Sequence, residues 1–232
     1  MTFGQLDARA ERGPRTEPIE PAFLIGLTGP IGCGKTTVGR MLGRLGGRIV
    51  DADQVSRAVL APDQPVLDDL KARFGRGIIS NDGTLDRTAL ANLVFHDPVA
   101  LKDLEAMTHP LIRTRIDQAL ALAAEDGVPF AVVEAIKLIE NEELAGRCDE
   151  IWLIDCSPAI QRERIIDRGM DGPDMDQRLA AQAGMRERAR ARADRTIDTS
   201  GPIEGVQAAV EEALAEALAG KLEILPFGSV QR

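Results

Sequence analysis

Gly29-Pro-Ile-Gly-Cys-Gly-Lys-Thr36 decides the fold, because it matches the phosphate-binding pattern G-x-x-x-x-G-K-[ST] at every fixed position. The run before it, 23–27, is short and apolar and predicts a buried strand, and the apolar residues over 36–45 recur at helical spacing. Glycines at such a junction let backbone N–H groups converge on phosphate oxygens, and the helix N-terminus adds its positive dipole end. The stretch therefore predicts a cradle for the phosphates of ATP or GTP.

The motif also predicts a first set of site residues. Lys35 is expected to bridge the outer phosphates, and Thr36 is expected to bind magnesium. A Gly-rich turn alone is commonly only a turn, but the full pattern between a strand and a helix argues against that alternative. The expected nucleotide-binding residues of the loop are Gly29, Pro30, Ile31, Gly32, Cys33, Gly34, Lys35, Thr36 and Thr37.

The composition limits the classes of function. A chain of 232 residues with 44% hydrophobic content suits one α/β domain with mobile lobes. A net charge of -9 and an aromatic content of 3% argue against nucleic acid as a partner. The three cysteines form no C-x-x-C pair, which fits a reducing cytoplasm, and no apolar run approaches the length of a membrane span. We expect a cytoplasmic protein that acts on small molecules, as a monomer or weak homo-oligomer.

The order of strand-like and helix-like stretches predicts an α/β fold with a parallel sheet flanked by helices. Further strands are expected over 48–50, 128–133, 150–154 and 196–198. The core is expected to comprise residues 21–54, 128–157 and 194–219. A helical insertion is expected over 55–127, an arginine-rich helical lid over 158–193, and flexible tails over 1–20 and 220–232.

Acidic residues follow the predicted strands. Asp51 and Asp53 come directly after the second strand, Glu134 ends the third and Asp155 follows the fourth. Because the carboxyl ends of strands form the ligand crevice of an open α/β sheet, Asp51 or Asp53 could face the phosphates. A helix N-cap is an equally good explanation of an acid at such a position.

Two groups of arginines lie in the predicted lid. Ser157 is expected to cap a helix that begins at Pro158 and carries Arg164 and Arg168 on one face. Cations on a mobile lobe can neutralise a transferred phosphoryl group. The second group is better explained as a helix surface with salt bridges, and it consists of Arg186, Arg188, Arg190 and Arg192.

His109, one of two histidines, precedes Pro110 in a long helical pattern. Proline removes a backbone donor and restricts the residue before it, so the pair predicts a kink or a helix junction. A hydrogen-bonded histidine at a helix boundary and a substrate contact explain His109 equally well.

These stretches together resemble the dephospho-CoA kinase family. The resemblance covers about residues 23–215, and its D-A-D and H-P-x-I-R elements are much more specific than the phosphate loop. The residues that carry it are Gly26–Thr36, Val50–Asp53 with Arg57, Asp82–Arg87 with Phe95, His109–Arg113, Gln161–Arg164 with Arg168, Gln182 and Ala193–Asp198.

The resemblance implies ATP-dependent phosphorylation of the ribose 3′-hydroxyl of dephospho-CoA, giving CoA and ADP, the last step of CoA biosynthesis. It implies a P-loop NTPase core with magnesium, a helical CoA-binding lobe and a lid. By motif match Asp53 is the catalytic carboxylate, beside Lys35 and Arg168, and Arg164 approaches the ATP phosphates. The expected acceptor-side residues are Asp53, Arg57, His109 and Arg113.

Some positions depart from the family pattern. The common D-x-P-L-L-F-E stretch appears as Glu134-Ala-Ile-Lys-Leu-Ile-Glu140, which loses the proline and the aromatic residue and adds Lys137. Pro30 and Cys33 stand where Gly and Ser are frequent, and Thr199 stands where Asn is frequent.

Two other functions share parts of this pattern. Another small-molecule P-loop kinase, acting on a nucleotide or a sugar acid, would need the phosphate loop and a lid but not the D-A-D and H-P-x-I-R pair. A nucleotide-switched binding protein that reads guanine usually carries N-K-x-D, which this sequence lacks. Acceptor screening and nucleotide preference separate these alternatives.

Overall fold

The computed structural model describes residues 21–95, 97–170 and 172–224. They form two compact units, one of residues 21–50 and 123–224 and one of residues 51–122. The predicted tail over 1–20 and most of that over 220–232 lie outside the described residues. The last helix continues to Ile224, past the expected start of the C-terminal tail.

The first unit is built on a five-stranded sheet of strand order β2-β3-β1-β4-β5. Parallel pairing joins β1 to β3 and to β4, and β4 to β5. The predicted α/β fold with a parallel sheet is thereby confirmed. The strands are β1 (Leu24–Thr28), β2 (Arg48–Asp51), β3 (Ala131–Glu134), β4 (Glu150–Asp155) and β5 (Arg195–Asp198).

Helices cover the sheet, which explains why its central strands are almost wholly apolar. All five residues of β1 are buried, and Trp152 of β4 is fully buried. Val38 of the first helix and Val210 of the last pack into the same core. The helices of this unit are α1 (Lys35–Arg44), α6 (Glu142–Arg147), α7 (Pro158–Asp167), α8 (Gly172–Ala181), α9 (Met185–Arg192) and α10 (Ile203–Ile224).

The second unit is helical and has a core of its own. Leu67, Leu70 and Leu90 are among the buried side chains of that core. Asp86 caps its third helix by accepting the N–H of Ala89 at 2.9 Å, as a carboxylate directly before a helix commonly does. The helices are α2 (Ala52–Val59), α3 (Val66–Phe74), α4 (Arg87–Phe95) and α5 (Pro98–Glu125), of which the last three residues belong to the sheet unit.

Helix α5 continues through Pro110, so of the two predictions for His109-Pro110 the helix junction is wrong, and the kink stays a prediction. Leu104 and Met107 before the proline and Ile112 after it all pack against the core of the helical unit. This shared packing outweighs the one backbone hydrogen bond that the proline removes.

None of the helices in the described part of the chain has the length and apolar character needed to cross a bilayer.

Candidate active site

The predicted strand–loop–helix context of the phosphate loop is confirmed, with β1 ending at Thr28 and α1 beginning at Lys35. Gly32 and Gly34 have φ angles of 81° and 85°, in the left-handed region that favours glycine. A Cβ on Gly29 would collide with the carbonyl oxygen of Ile154 in β4. The loop therefore requires its glycines both for backbone conformation and for close packing on the sheet.

Lys35 folds back across the loop. Its Nζ donates hydrogen bonds to the carbonyl oxygens of Gly29 at 2.8 Å and Pro30 at 3.2 Å. The side chain is only 8% exposed. The ammonium group is thus held against the backbone that would cradle phosphate.

Thr36 contacts an acid that the sequence analysis left out of the site. Its hydroxyl Oγ1 lies 3.3 Å from Oε1 of Glu134, the last residue of β3. Glu134 is 7% exposed, and a Cβ on Gly39 would come within 3.3 Å of its second oxygen, Oε2. A hydroxyl and a carboxylate are ligands that Mg²⁺ takes together with substrate phosphates and water. The sequence signals for Glu134 were its place at a strand end and its position at the acid that opens the family's D-x-P-L-L-F-E stretch.

A cavity of about 320 Å³ borders the loop within the sheet unit. It combines apolar side chains with two guanidinium groups, those of Arg164 and Arg168. It can therefore hold a ligand in which a flat apolar group lies beside a negatively charged group. Its lining residues are Gly34, Thr37, Val38, Arg164, Asp167, Arg168, Thr199, Gly201, Ile203 and Val206.

Thr199 connects three elements around this cavity. Its Oγ1 lies 2.9 Å from the carbonyl oxygen of Cys33 in the loop and 3.2 Å from that of Asp155 at the end of β4. Arg164 of α7 donates to the Oγ1 of Thr199 at 3.0 Å and to its carbonyl at 2.7 Å. Thr199 therefore sets the position of the Arg164 guanidinium beside the loop.

Two glutamines bind the backbone of Ile31 in the loop. Gln182 accepts the N–H of Ile31 at 2.9 Å, and Gln161 donates to its carbonyl at 2.8 Å. The first glutamine lies between α8 and α9, and the second lies on α7. The arginine-rich segment thus contacts the phosphate loop directly.

The arginines of α9 pair with acids, which confirms the salt-bridge interpretation. Arg186 Nε lies 2.8 Å from one oxygen of Asp155, and Arg190 Nη2 lies 2.8 Å from the other. The Asp155 carboxylate is 8% exposed. The exposed pairs are Arg188 with Glu140 at 3.2 Å and Arg192 with Glu142 at 2.7 Å.

Cys156, which follows β4, is a buried thiol in contact with Cys33 of the loop. Burial, helped by the hydrogen bond with Cys33, raises the pKa of Cys156 to about 12, against the opposing field of Arg164. The Cys156 thiol is therefore protonated near neutral pH, so it does not act as a thiolate nucleophile.

The remaining predicted site residues belong to the helical unit. Asp51 accepts the N–H of Gln54 at 2.9 Å and caps α2, so the N-cap explanation holds for this acid. Asp53, in the first turn of α2, is exposed, and so is Arg57 one turn later.

His109 and Arg113 are also exposed and lie four residues apart on α5, so they share a helix face. His109 lies inside a helix, so the helix-boundary explanation for it is wrong.

Among the predicted site residues, the structure brings Lys35, Thr36, Arg164 and Arg168 together around the loop.

Comparison with known proteins gives a consistent result. The family model for dephospho-CoA kinase matches residues 23–204. A dephospho-CoA kinase of Geobacter sulfurreducens is 42% identical over 83% of this chain and 98% of its own length. One of Symbiobacterium thermophilum is 37% identical over 85% of this chain and 82% of its own. A crystal structure of a Thermus thermophilus protein is 31% identical, with a TM-score of 0.73 over 85% of this chain and 98% of that one.

Proposed function

This chain belongs to the dephospho-CoA kinase family, and we propose that it transfers the γ-phosphoryl group of ATP to the ribose 3′-hydroxyl of dephospho-CoA. The products are CoA and ADP. The observation that carries the proposal is the glycine loop between β1 and α1, with the Lys35 ammonium and the Thr36 hydroxyl at its end. Phosphoryl transfer depends mainly on positioning and charge stabilisation, and this loop offers both.

The sheet unit supplies the nucleotide side. Backbone N–H groups of the loop and the start of α1 bind phosphate oxygens, and Lys35 moves from its carbonyl partners to the outer phosphates. Arg164 and Arg168 border the adjoining cavity, where the nucleoside part of ATP has room beside Val38 and Ile203. The segment over 158–193 acts as the lid.

Thr36 and Glu134 are the residues that would hold magnesium, because their oxygens lie 3.3 Å apart at the N-terminus of α1. Magnesium neutralises part of the phosphate charge when it is bound. Among the described residues no group of three or more histidines, cysteines or acids could hold a metal alone. This matches an ion that binds mainly through substrate phosphates.

The helical unit supplies the acceptor side, and residues 55–127 form the CoA-binding lobe. By motif match, Asp53 accepts the proton of the 3′-hydroxyl or orients that hydroxyl for in-line attack. Arg57 lies one turn from Asp53 on α2, and His109 and Arg113 share a face of α5. The guanidinium charges of Arg57 and Arg113 suit the diphosphate of dephospho-CoA.

We further propose that the protein works in the cytoplasm, as a monomer or weak homo-oligomer, without nucleic acid. The net charge of -9 and the three free cysteines support this proposal.

The test is ADP release from ATP and magnesium, with and without dephospho-CoA, for the wild type and for Asp53→Asn. We expect ADP only when dephospho-CoA is present, and a fall of about two orders of magnitude in turnover for the variant. ATP binding, measured by calorimetry, should be unchanged in the variant because it keeps the shape of the side chain. ADP release that dephospho-CoA does not stimulate would reject the proposal, and unchanged turnover in Asp53→Asn would reject the role of Asp53.

A further inference from the structure

The segment that departs from the family pattern begins beside the phosphate loop. The N–H of Ala135 donates to the carbonyl of Leu27 in β1 at 3.0 Å. Thr28 Oγ1, directly before the loop, donates to the carbonyl of Ile136 at 3.0 Å. Two consecutive residues are thus tied to β1, and Lys137 is the next residue along the chain.

The same segment is also fixed after Lys137. Leu138 is fully buried and packs on Gly26, where a Cβ would overlap its side chain. Ile139 is 4% exposed, and its carbonyl accepts a hydrogen bond from Arg192 Nη1 at 2.8 Å. The backbone of Lys137 is therefore held on both sides, by β1 before it and by α9 after it.

The side chain of Lys137 is exposed, as is that of Glu140. The acids at the two ends are engaged, Glu134 with Thr36 at 3.3 Å and Glu140 with Arg188 at 3.2 Å. Within the described residues, the Lys137 ammonium has neither a hydrogen bond nor an ion pair. Its charge is therefore available to a ligand.

The backbone of Lys137 lies close in the structure to the start of the phosphate loop. The Thr28 to Ile136 hydrogen bond places the backbone of Lys137 one residue from the edge of the loop. A four-carbon stem carries the ammonium about 6 Å from its backbone. Because the backbone is already fixed, only the side chain loses freedom when the ammonium binds.

We propose that Lys137 is a further substrate-binding residue, whose ammonium contacts phosphate oxygens at the mouth of the loop. The oxygens belong to the outer phosphates of ATP or to the diphosphate of dephospho-CoA. This inference rests on the proposed function. It gives a role to the stretch Glu134–Glu140, in which a cation replaces the neutral residue of the family pattern.

The experiment compares Lys137→Met, Lys137→Arg and a matched control, Arg44→Met. Arg44 is an exposed cation in the last turn of α1, at the end of that helix away from the loop. The measurements are kcat, the KM of ATP at saturating magnesium, the KM of dephospho-CoA and the melting temperature. We expect Lys137→Met to change one kinetic constant about tenfold, as loss of a charge-assisted hydrogen bond does. Lys137→Arg should restore most of it, and Arg44→Met should resemble the wild type.

The affected constant identifies the phosphate. A higher KM of ATP indicates the nucleotide, a higher KM of dephospho-CoA indicates the acceptor, and a lower kcat alone indicates a contact made in the transition state. The inference is overturned if all three constants stay within about twofold of the wild type. It is also overturned if activity falls only with the melting temperature and Lys137→Arg does not restore it.

Failure of the proposed function can be told apart from failure of this inference, because the wild type would then lack ADP release that depends on dephospho-CoA. In that case the phosphate contact of Lys137 is tested by calorimetry of ATP binding to the wild type and to Lys137→Met. A tenfold loss of ATP affinity in Lys137→Met, as expected for a charged contact, would support the phosphate contact, and equal affinity would reject it.

Discussion

Arg164 and Arg168, near the end of α7, look like the arginines of α9 in the sequence but have different partners. Each of the four in α9 lies within 3.2 Å of a carboxylate oxygen of Asp155, Glu140 or Glu142. Arg162 of α7 also lies near a carboxylate, that of Asp176 at 3.5 Å. By contrast, Arg164 of α7 binds the hydroxyl and carbonyl of Thr199, and both Arg164 and Arg168, which directly follows α7, border the cavity beside the loop.

The difference shows that the partner of a charge decides its role. A guanidinium paired with a carboxylate can reach phosphate only if that pair breaks and the acid is left alone, which is costly when the acid is buried. A guanidinium that faces a cavity keeps its charge for a ligand. By the number of arginines alone, α9 would have been expected to bind phosphate in preference to α7.

The largest effect should come from Lys35, the cation that contacts the outer phosphates in the proposed function. Lys35→Ala removes the ammonium from the loop, and we expect turnover to fall by about three orders of magnitude or more. Steady-state ADP release measures the loss, and circular dichroism checks that the variant folds. Activity close to that of the wild type would refute the assignment of the loop.

Arg168 tests whether an arginine that borders the cavity contributes to turnover. We expect Arg168→Ala to lower kcat by about one to two orders of magnitude, because its charge borders the cavity beside the loop. The melting temperature should stay near that of the wild type, since Arg168 is exposed. Arg188→Ala, from an exposed pair of α9, is the control and should keep full turnover. Normal turnover of Arg168→Ala with a clear loss of melting temperature would place Arg168 with the α9 group.

Arg186 tests whether an arginine paired with a buried carboxylate contributes to stability. Arg186→Ala leaves the buried Asp155 with the partly exposed Arg190 alone, and we expect the free energy of unfolding to fall by about 1 to 2 kcal/mol. Arg192→Ala breaks an exposed pair and should cause no measurable change. Urea unfolding curves compare the two. Equal losses would show that burial of the acid does not distinguish these pairs.

Cys156 lies where the two arginine groups meet, since its carbonyl accepts from Arg186 and its thiol lies in the field of Arg164. The pKa of Cys156 is about 12 in the folded protein, against an ordinary value near 9. As the pH rises from about 9 towards 12, the unfolded chain loses this proton while the folded protein keeps it, so stability falls. Cys156→Ala should remove part of that slope, and urea midpoints at about pH 7 and pH 10 measure it. A slope unchanged by the mutation would contradict the raised pKa.

Much of the fold could be predicted because its signals are local. The glycine motif, the apolar runs of the strands and the caps at Ser157 and Asp86 each depend on residues within a few positions of one another. The same reasoning failed at Pro110, where contacts of the whole helix outweighed a local rule.

The site was harder to predict because its contacts join distant parts of the chain. Glu134 lies 98 residues from Thr36, and Gln182 lies 151 residues from Ile31. These contacts depend on the strand order, with β1 between β3 and β4, which no short motif states. Residue type indicated what Arg164 and Arg186 can bind, but only packing showed which acid, hydroxyl or cavity each one faces.

The hydrogen bonds within the loop have a consequence for turnover. The Lys35 ammonium is bonded to the carbonyls of Gly29 and Pro30, and the Ile31 amide is bonded to Gln182. In the proposed function, these intramolecular acceptors are present at a fixed effective concentration and compete with the triphosphate for the same donors. ATP binding is therefore an exchange of partners, and its net free energy is smaller than the number of new contacts implies. The same acceptors would take the donors back as ADP leaves, so in the proposed function the loop binds nucleotide less tightly and releases the product more readily.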